Sequence, residues 1–126
     1  MKRKINGDTV TVVTNTDETV LTITVSSAAD TAKLVVSGNI THDAAPEFED
    51  ELMAVLTSGR DVIVDFSSLD SISAPALKAL LTVQRLVDEK RYKFYIENIT
   101  ASVKKIFEQT GYIDLLDIRG VMGEET

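Results

Sequence analysis

The residues best suited to chemistry lie together between positions 62 and 76. Val62, Ile63, Val64, Asp65 and Phe66 are followed by Ser67, Ser68, Leu69, Asp70, Ser71, Ile72 and Ser73. Ala74 and Pro75 then open a long apolar stretch. A buried-type strand, a serine-rich loop and a helix start, in that order, aim backbone N–H groups and hydroxyls at one exposed point. An anion or a protein partner can dock at such a point. Asp65 and Asp70 flank the loop and are suited to accept hydrogen bonds from its N–H groups. Ser67 and Ser68 suit a strand exit and Ser73 suits a helix N-cap.

Catalytic chemistry has little else to draw on. His42 is the single histidine and cysteine is absent, so no His-based triad, multi-histidine metal site or thiolate ligand set is available. His42 reads as a solvated loop residue, and the pairs Asp43/Glu47 and Glu47/Glu51 read as one solvated helix face. The chain has no glycine-rich phosphate loop of the GxxxxGK[ST] or GxGxxG type. No metal and no cofactor is expected.

Composition narrows the classes further. A chain of 126 residues with 44% hydrophobic and 26% charged content reads as one globular domain able to bury its own core. A net charge of −7 and dispersed basic residues speak against nucleic acid, whose affinity rests on neutralising phosphates. An acidic surface suits a partner with a basic face. No apolar run approaches the roughly 18–20 residues of a membrane span, and Met1 to Asn6 is charged with no apolar signal core after it. The expectation is a cytoplasmic protein without membrane insertion.

These residues need elements to position them. Thr9–Val13 and Thr19–Val25 are β-branched runs about a turn-type cluster, Asn15–Glu18, which predicts a hairpin. Which face of Thr19–Val25 is buried stays open, because Val20, Ile23 and Val25 do not alternate cleanly with Leu21. A turn over Ser26–Thr31 leads to a strand at Lys33–Ser37, stopped by Gly38. Asp43 is expected to cap a helix with Phe48, Leu52, Val55 and Leu56 inward, Pro46 in its first turn and Gly59 at its end. The apolar run Val62–Phe66 predicts a strand covered on both faces. A helix from about Ala74 to Glu89, capped by Ser73, is apolar around more than half its girth. Lys93–Glu97 is the next strand. Thr100 or Ser102 caps a third helix with Val103, Ile106 and Phe107 inward, ending at Gly111. Leu115–Ile118 reads as a short strand or a helical turn, and Gly120–Thr126 as a frayed polar tail. Alternating strands and helices predict an α/β domain with a partly parallel sheet, extended at one edge by the N-terminal hairpin.

Several of these segments resemble the STAS domain family of sulfate transporters and anti-sigma-factor antagonists. The resemblance runs through Leu34–Ile40, Ala45–Phe48, Val62–Ser67, Leu69–Ile72, Leu77–Leu81, Val103–Phe107, Thr110–Tyr112 and Leu115–Leu116, in order and without a large gap. It implies a single-domain α/β STAS-like fold: a mixed β-sheet with helices packed on it and an N-terminal β-hairpin extension. Residues 1–32 would form the strand-rich extension, 33–119 the core and 120–126 a flexible tail. The extension is either an added sheet edge or a homodimer contact.

The chain departs from the family at the regulatory box Asp-Ser-Ser-Gly. With the helix leucine aligned on Leu77, Ser73 stands at the Asp, Ala74 at the first Ser, Pro75 at the second Ser and Ala76 at the Gly. In antagonists a kinase phosphorylates the second Ser, and proline has no hydroxyl to accept the group. Ser71 and Ser73 are the hydroxyls left for phosphorylation nearby. The resemblance implies a non-enzymatic interaction protein whose segment Asp70, Ser71, Ile72, Ser73, Ala74, Pro75 and Ala76 contacts a kinase-type anti-sigma factor, without the usual switch. Two alternatives remain: an accessory STAS subunit of an ATP-driven lipid transport complex, and a sensor of a small anion or nucleotide.

Overall fold

The computed structural model describes residues 2–14, 16, 18–89 and 92–122. Asn15 and Asp17 of the expected turn and the last four residues of the expected tail lie outside that set. Seven strands form one sheet in sequential order: β1 (Lys2–Asn6), β2 (Thr9–Val13), β3 (Thr19–Ser27), β4 (Thr31–Ile40), β5 (Asp61–Ile72), β6 (Phe94–Ile99) and β7 (Ile118–Val121). β1 to β4 are mutually antiparallel and β4 to β7 parallel. The helices are α1 (Ala45–Leu56), α2 (Ala74–Asp88) and α3 (Ala101–Thr110), with a 3₁₀ turn at Tyr112–Asp114 before β7. This is the mixed α/β sheet with an N-terminal antiparallel extension that the sequence predicts.

Strand order fixes the layering. Each step from β4 to β7 moves one place in the same direction, and right-handed crossovers then put all three helices on one face. The buried side chains agree. Val10, Leu21, Ile23, Leu34, Val36, Val62, Val64, Phe94 and Ile96 share that face by register and, Val10 excepted, join one core with Phe48, Leu52, Leu80, Val83 and Phe107. Leu21 and Ile23 are therefore the inward pair of β3, while Val20 is only half-buried. Arg3, on the same face of β1, reaches up to Glu47 and Glu51 of α1 at 3.3 and 3.4 Å.

Several local expectations are corrected. Lys2–Asn6, for which the sequence reading names no separate element within the strand-rich extension, is a strand, its three cations lying on an edge where charge discourages further pairing. Gly38 does not stop β4. It sits inside the strand at φ +101°, where a Cβ would stand 2.4 Å from the Val20 carbonyl oxygen, so glycine permits a close strand approach. Asp43 does not cap α1; the Thr41 hydroxyl accepts from the Ala44 N–H at 3.2 Å instead. α1 ends at Leu56, with Gly59 in the turn beyond at φ +78°. Leu115–Ile118 is neither one strand nor one helical turn, since only Ile118 belongs to β7. Gly120 and Val121 are likewise strand rather than tail.

Two corrections bear on function. The serine-rich segment after Phe66 is not a loop, because β5 continues to Ile72 along β4, pairing Asn39 with Ser71 and Ile40 with Ile72. The strand accommodates this by register shifts at Val35/Ser37 and Gly38/Asn39. β5 is also covered by helices on one face only, so Ile63 on the other face remains half-buried.

Candidate functional site

The end of β5 passes into α2 without a connecting loop. Ser73 is the single residue between them, extended at φ −86° and ψ 164°. Its N–H donates to the Ile40 carbonyl at 2.9 Å, the last rung between the two strands, and its carbonyl accepts from Leu77 as the first helical bond at 3.0 Å. The chain direction at the head of α2 is thus set by sheet pairing on one side and helix pairing on the other. The α2 start lies at the carboxyl end of the parallel strands, where open α/β sheets generally bind their ligands.

Ser73 is the N-cap residue, as the sequence predicts, yet its hydroxyl makes no capping bond. Its oxygen is shut from solvent and has no hydrogen-bond partner among the described residues. An N-cap hydroxyl accepts from the second or third helical N–H; Pro75 at the second position has none, and the hydroxyl makes no bond to the remaining one on Ala76. The first turn of α2 carries no acidic residue, so no side chain of that turn offsets the positive end of this 15-residue helix.

The seven predicted partner-binding residues divide by exposure. Asp70 and Ala74 are exposed; Ser71, Ser73 and Pro75 are half-buried; Ile72 and Ala76 belong to the core. The last two cannot present side chains to a partner. Of the two hydroxyls considered for phosphorylation, Ser71 donates to Asn39 Oδ1 at 2.7 Å, and Ser73 is the shut-in group just described. Ser68 is exposed on β5.

Neighbouring elements brace this edge. The Thr100 hydroxyl donates to the Leu69 carbonyl at 3.0 Å and accepts from the Val103 N–H at 3.2 Å. One side chain therefore caps α3 and ties it to the last stretch of β5. The sequence left the cap between Thr100 and Ser102, and the tie, across 31 positions, carried no local signal. Further back, Asp65 accepts from the Ser67 N–H at 2.8 Å and faces Lys33 Nζ at 3.6 Å. Lys33 is closer to Glu97, at 2.8 Å. Burial alone would raise the Asp65 pKa, but the Ser67 N–H and hydroxyl, then Lys33 and Asn98, outweigh it and hold the carboxyl below its ordinary range. The hydrogen bond to Glu97 leads the causes that raise Lys33. Asp65 thus binds the N–H expected of it, and it fixes β5 just where the strand register shifts. Asp70, by contrast, is exposed. Among the described residues no group of three His, Cys, Asp or Glu side chains gathers to hold a metal, and no helix is long and apolar enough to cross a membrane.

Solved structures share this architecture at low identity. An anti-sigma factor antagonist from Mycobacterium paratuberculosis superposes with a TM-score of 0.71 at 20% identity, over 79% of this chain and 85% of that one. The anti-sigma factor antagonist SpoIIAA in its unphosphorylated form gives 0.66 at 14% identity, over 80% and 89%. The phosphorylated form of SpoIIAA, described as a Bacillus cell fate determinant, gives 0.61 at 13% identity, over 80% and 92%. No curated protein sequence matches the chain. The sequence model of the family described as "Mlab, STAS domain" matches residues 23–117, starting within β3. The chain belongs to the STAS domain family.

Proposed function

We propose that this STAS domain is a non-enzymatic, cytoplasmic protein-interaction module of the anti-sigma-factor-antagonist kind, docking through the exposed part of Asp70–Pro75 at the head of α2. The observation that carries the reading is the direct passage of β5 into α2. It fixes Asp70 and Ala74 on a rigid edge beside a helix N-terminus with no acidic residue in its first turn. Rigid presentation lowers the ordering cost of association. A kinase-type anti-sigma factor is the partner this form suits.

The same reading holds that docking is not switched by phosphate at the usual position. Pro75 stands where the resemblance puts the phosphoacceptor, and the nearest hydroxyls, Ser71 and Ser73, are bonded or shut in. Phosphate elsewhere switches a surface by adding about −1.5 to −2 charge, and the head of α2 offers no free hydroxyl to receive it. The lost acceptor also favours a second reading, an accessory subunit of an ATP-driven lipid transport complex, since a constitutively docked subunit needs no switch.

Affinity capture from the host with the full chain, read by mass spectrometry, tests both. Wild type should retain a kinase-type anti-sigma factor that Ala74→Arg and Asp70→Arg release, with no phosphate on Ser67 to Ser73. Retention of an ATPase with membrane permease components, lost in the same variants, would establish the second reading. A partner held equally by wild type and both variants would remove the surface from this edge.

A further inference from the structure

Among the described residues no helix covers the sheet face opposite α1, α2 and α3. Parallel sheets occur almost always with both faces covered, because their strands are apolar on both sides. Here β4, β5 and β6 carry Val35, Ile63 and Tyr95 on the open face, all half-buried. The antiparallel half continues the face with Thr22 and Thr24, a composition that water tolerates. It is the parallel half that lacks its layer.

Two observations say what fits it. The first is charge. On this face Lys33 bridges Glu97 and Asp65, while Arg119 pairs with Asp117 at 3.1 Å and lies 4.0 Å from the centre of the Tyr95 ring. Adding Lys2 and Lys4 of β1, which share the face by register, leaves it within one charge of neutral. The whole chain carries −7, so the acidity resides on the helical side and the loops. Two like-charged copies are repelled less across a near-neutral face than across the acidic remainder. The second is area. Strands about 4.8 Å apart make a seven-stranded face about 29 Å wide, and at about 3.3 Å per residue it runs roughly 20–25 Å along the strands. That is on the order of 700 Å², close to the roughly 800 Å² per partner of a standard specific interface.

We infer that the open sheet face is an isologous interface between two copies of this chain, centred on Ile63, the two sheets stacking about 10 Å apart as in a β-sandwich. Lys33, Asp65, Glu97, Arg119 and Asp117 are already paired within each copy, so closure takes none of these charges from water without its partner. A hollow of about 260 Å³ beside Ile63, bordered by Ser26, Thr31 and Lys33, gives the face relief into which a side chain of the second copy fits. The inference does not rest on the docking edge at α2.

Sedimentation equilibrium of the full chain over a concentration series decides it. Wild type should sediment at twice 13.8 kDa in the micromolar range. Ile63→Glu and Thr24→Arg, each confirmed folded by circular dichroism, should weaken association at least a hundredfold. Ala74→Arg, at the α2 edge, should not change the mass. Wild type monomeric at several hundred micromolar would overturn the proposal and leave the face to a different protein. A dimer that survives a folded Thr24→Arg or Ile63→Glu would overturn it equally, by placing the contact elsewhere.

Discussion

Replacing Ser73 with alanine should leave the chain as stable as before, or stabilise it, against the ordinary rule for helix caps. An N-cap serine generally contributes about 1 kcal/mol through a bond from the second or third helical N–H. At α2 that bond is not made, and Pro75 has removed one of its two donors. The hydroxyl oxygen is instead enclosed without a partner, a state that costs about 1–3 kcal/mol relative to water. Truncation to alanine removes the enclosed oxygen and sacrifices no hydrogen bond. The expected change therefore lies between zero and about 1 kcal/mol of stabilisation, the upper part offset by the small void left behind. Thr100→Ala supplies the internal comparison, because its hydroxyl makes two bonds, to Leu69 and from Val103. That variant should lose about 1–2 kcal/mol. Urea unfolding at pH 7, with unchanged m values, measures both. A loss of 1 kcal/mol or more in Ser73→Ala would refute the reasoning, since it would mean that the hydroxyl accepts the Ala76 N–H in solution.

Gly38→Ala should be among the most damaging single changes, at roughly 3 kcal/mol, because its Cβ meets backbone and its φ of +101° disfavours any side chain; thermal unfolding reads it, and a shift of under a few degrees would show that β3 yields there. Asp65→Asn should cost about 1–2 kcal/mol at neutral pH. The folded pKa of Asp65 is depressed, so its contribution is complete above the ordinary carboxylate range near 3.9 and fades as pH falls through the lower folded value. The variant should flatten the acid limb of the stability profile, and an unaltered limb would remove Asp65 from that role. Lys33 is raised, so its contribution is complete below about 10.4 and is lost on the alkaline side.

What the sequence made legible was periodicity and punctuation. The apolar spacing of α1 and α2, the β-branched runs of β2 and β3, and the Gly111 end of α3 are local signals that the structure matches, and of the two caps the sequence offers for α3 it is Thr100 that serves. Misreadings arose where a residue's usual local meaning lost to a contact far along the chain. Gly38 looks like a strand stop, but its role is to let β4 pass close to Val20. The serines after Phe66 look like a loop, yet their backbone finds the free edge of β4 between Ser37 and Ile40 and pairs with it. Arg3, for which the sequence offers no partner, is drawn over β2 by Glu47 and Glu51. The segment that the sequence singles out differs in kind from its reading, a strand end welded to a helix instead of a loop. Which of its side chains face out could not be read, since Ile72 and Ala76 are buried by elements distant in sequence.

One topological fact underlies both surfaces. Sequential strand order with right-handed crossovers sends every helix to the same face, and it also starts α1, α2 and α3 at the same edge of the sheet. Among the described residues the fold thereby leaves one sheet face without a helix and, at right angles to it, an edge carrying three helix N-termini. Because face and edge are separate, two copies stacked on their open faces still expose both α2 edges. Such a pair would offer a dimeric partner two docking points at once, and linked binding of that kind can raise overall affinity by about 10²–10⁴ without a new contact. A monomeric chain forced by Thr24→Arg would keep the intrinsic affinity of each edge and lose that gain. Titration of one dimeric partner against wild type and Thr24→Arg therefore separates the two surfaces: equal affinity for both would mean that the edges act singly, whatever the state of the open face.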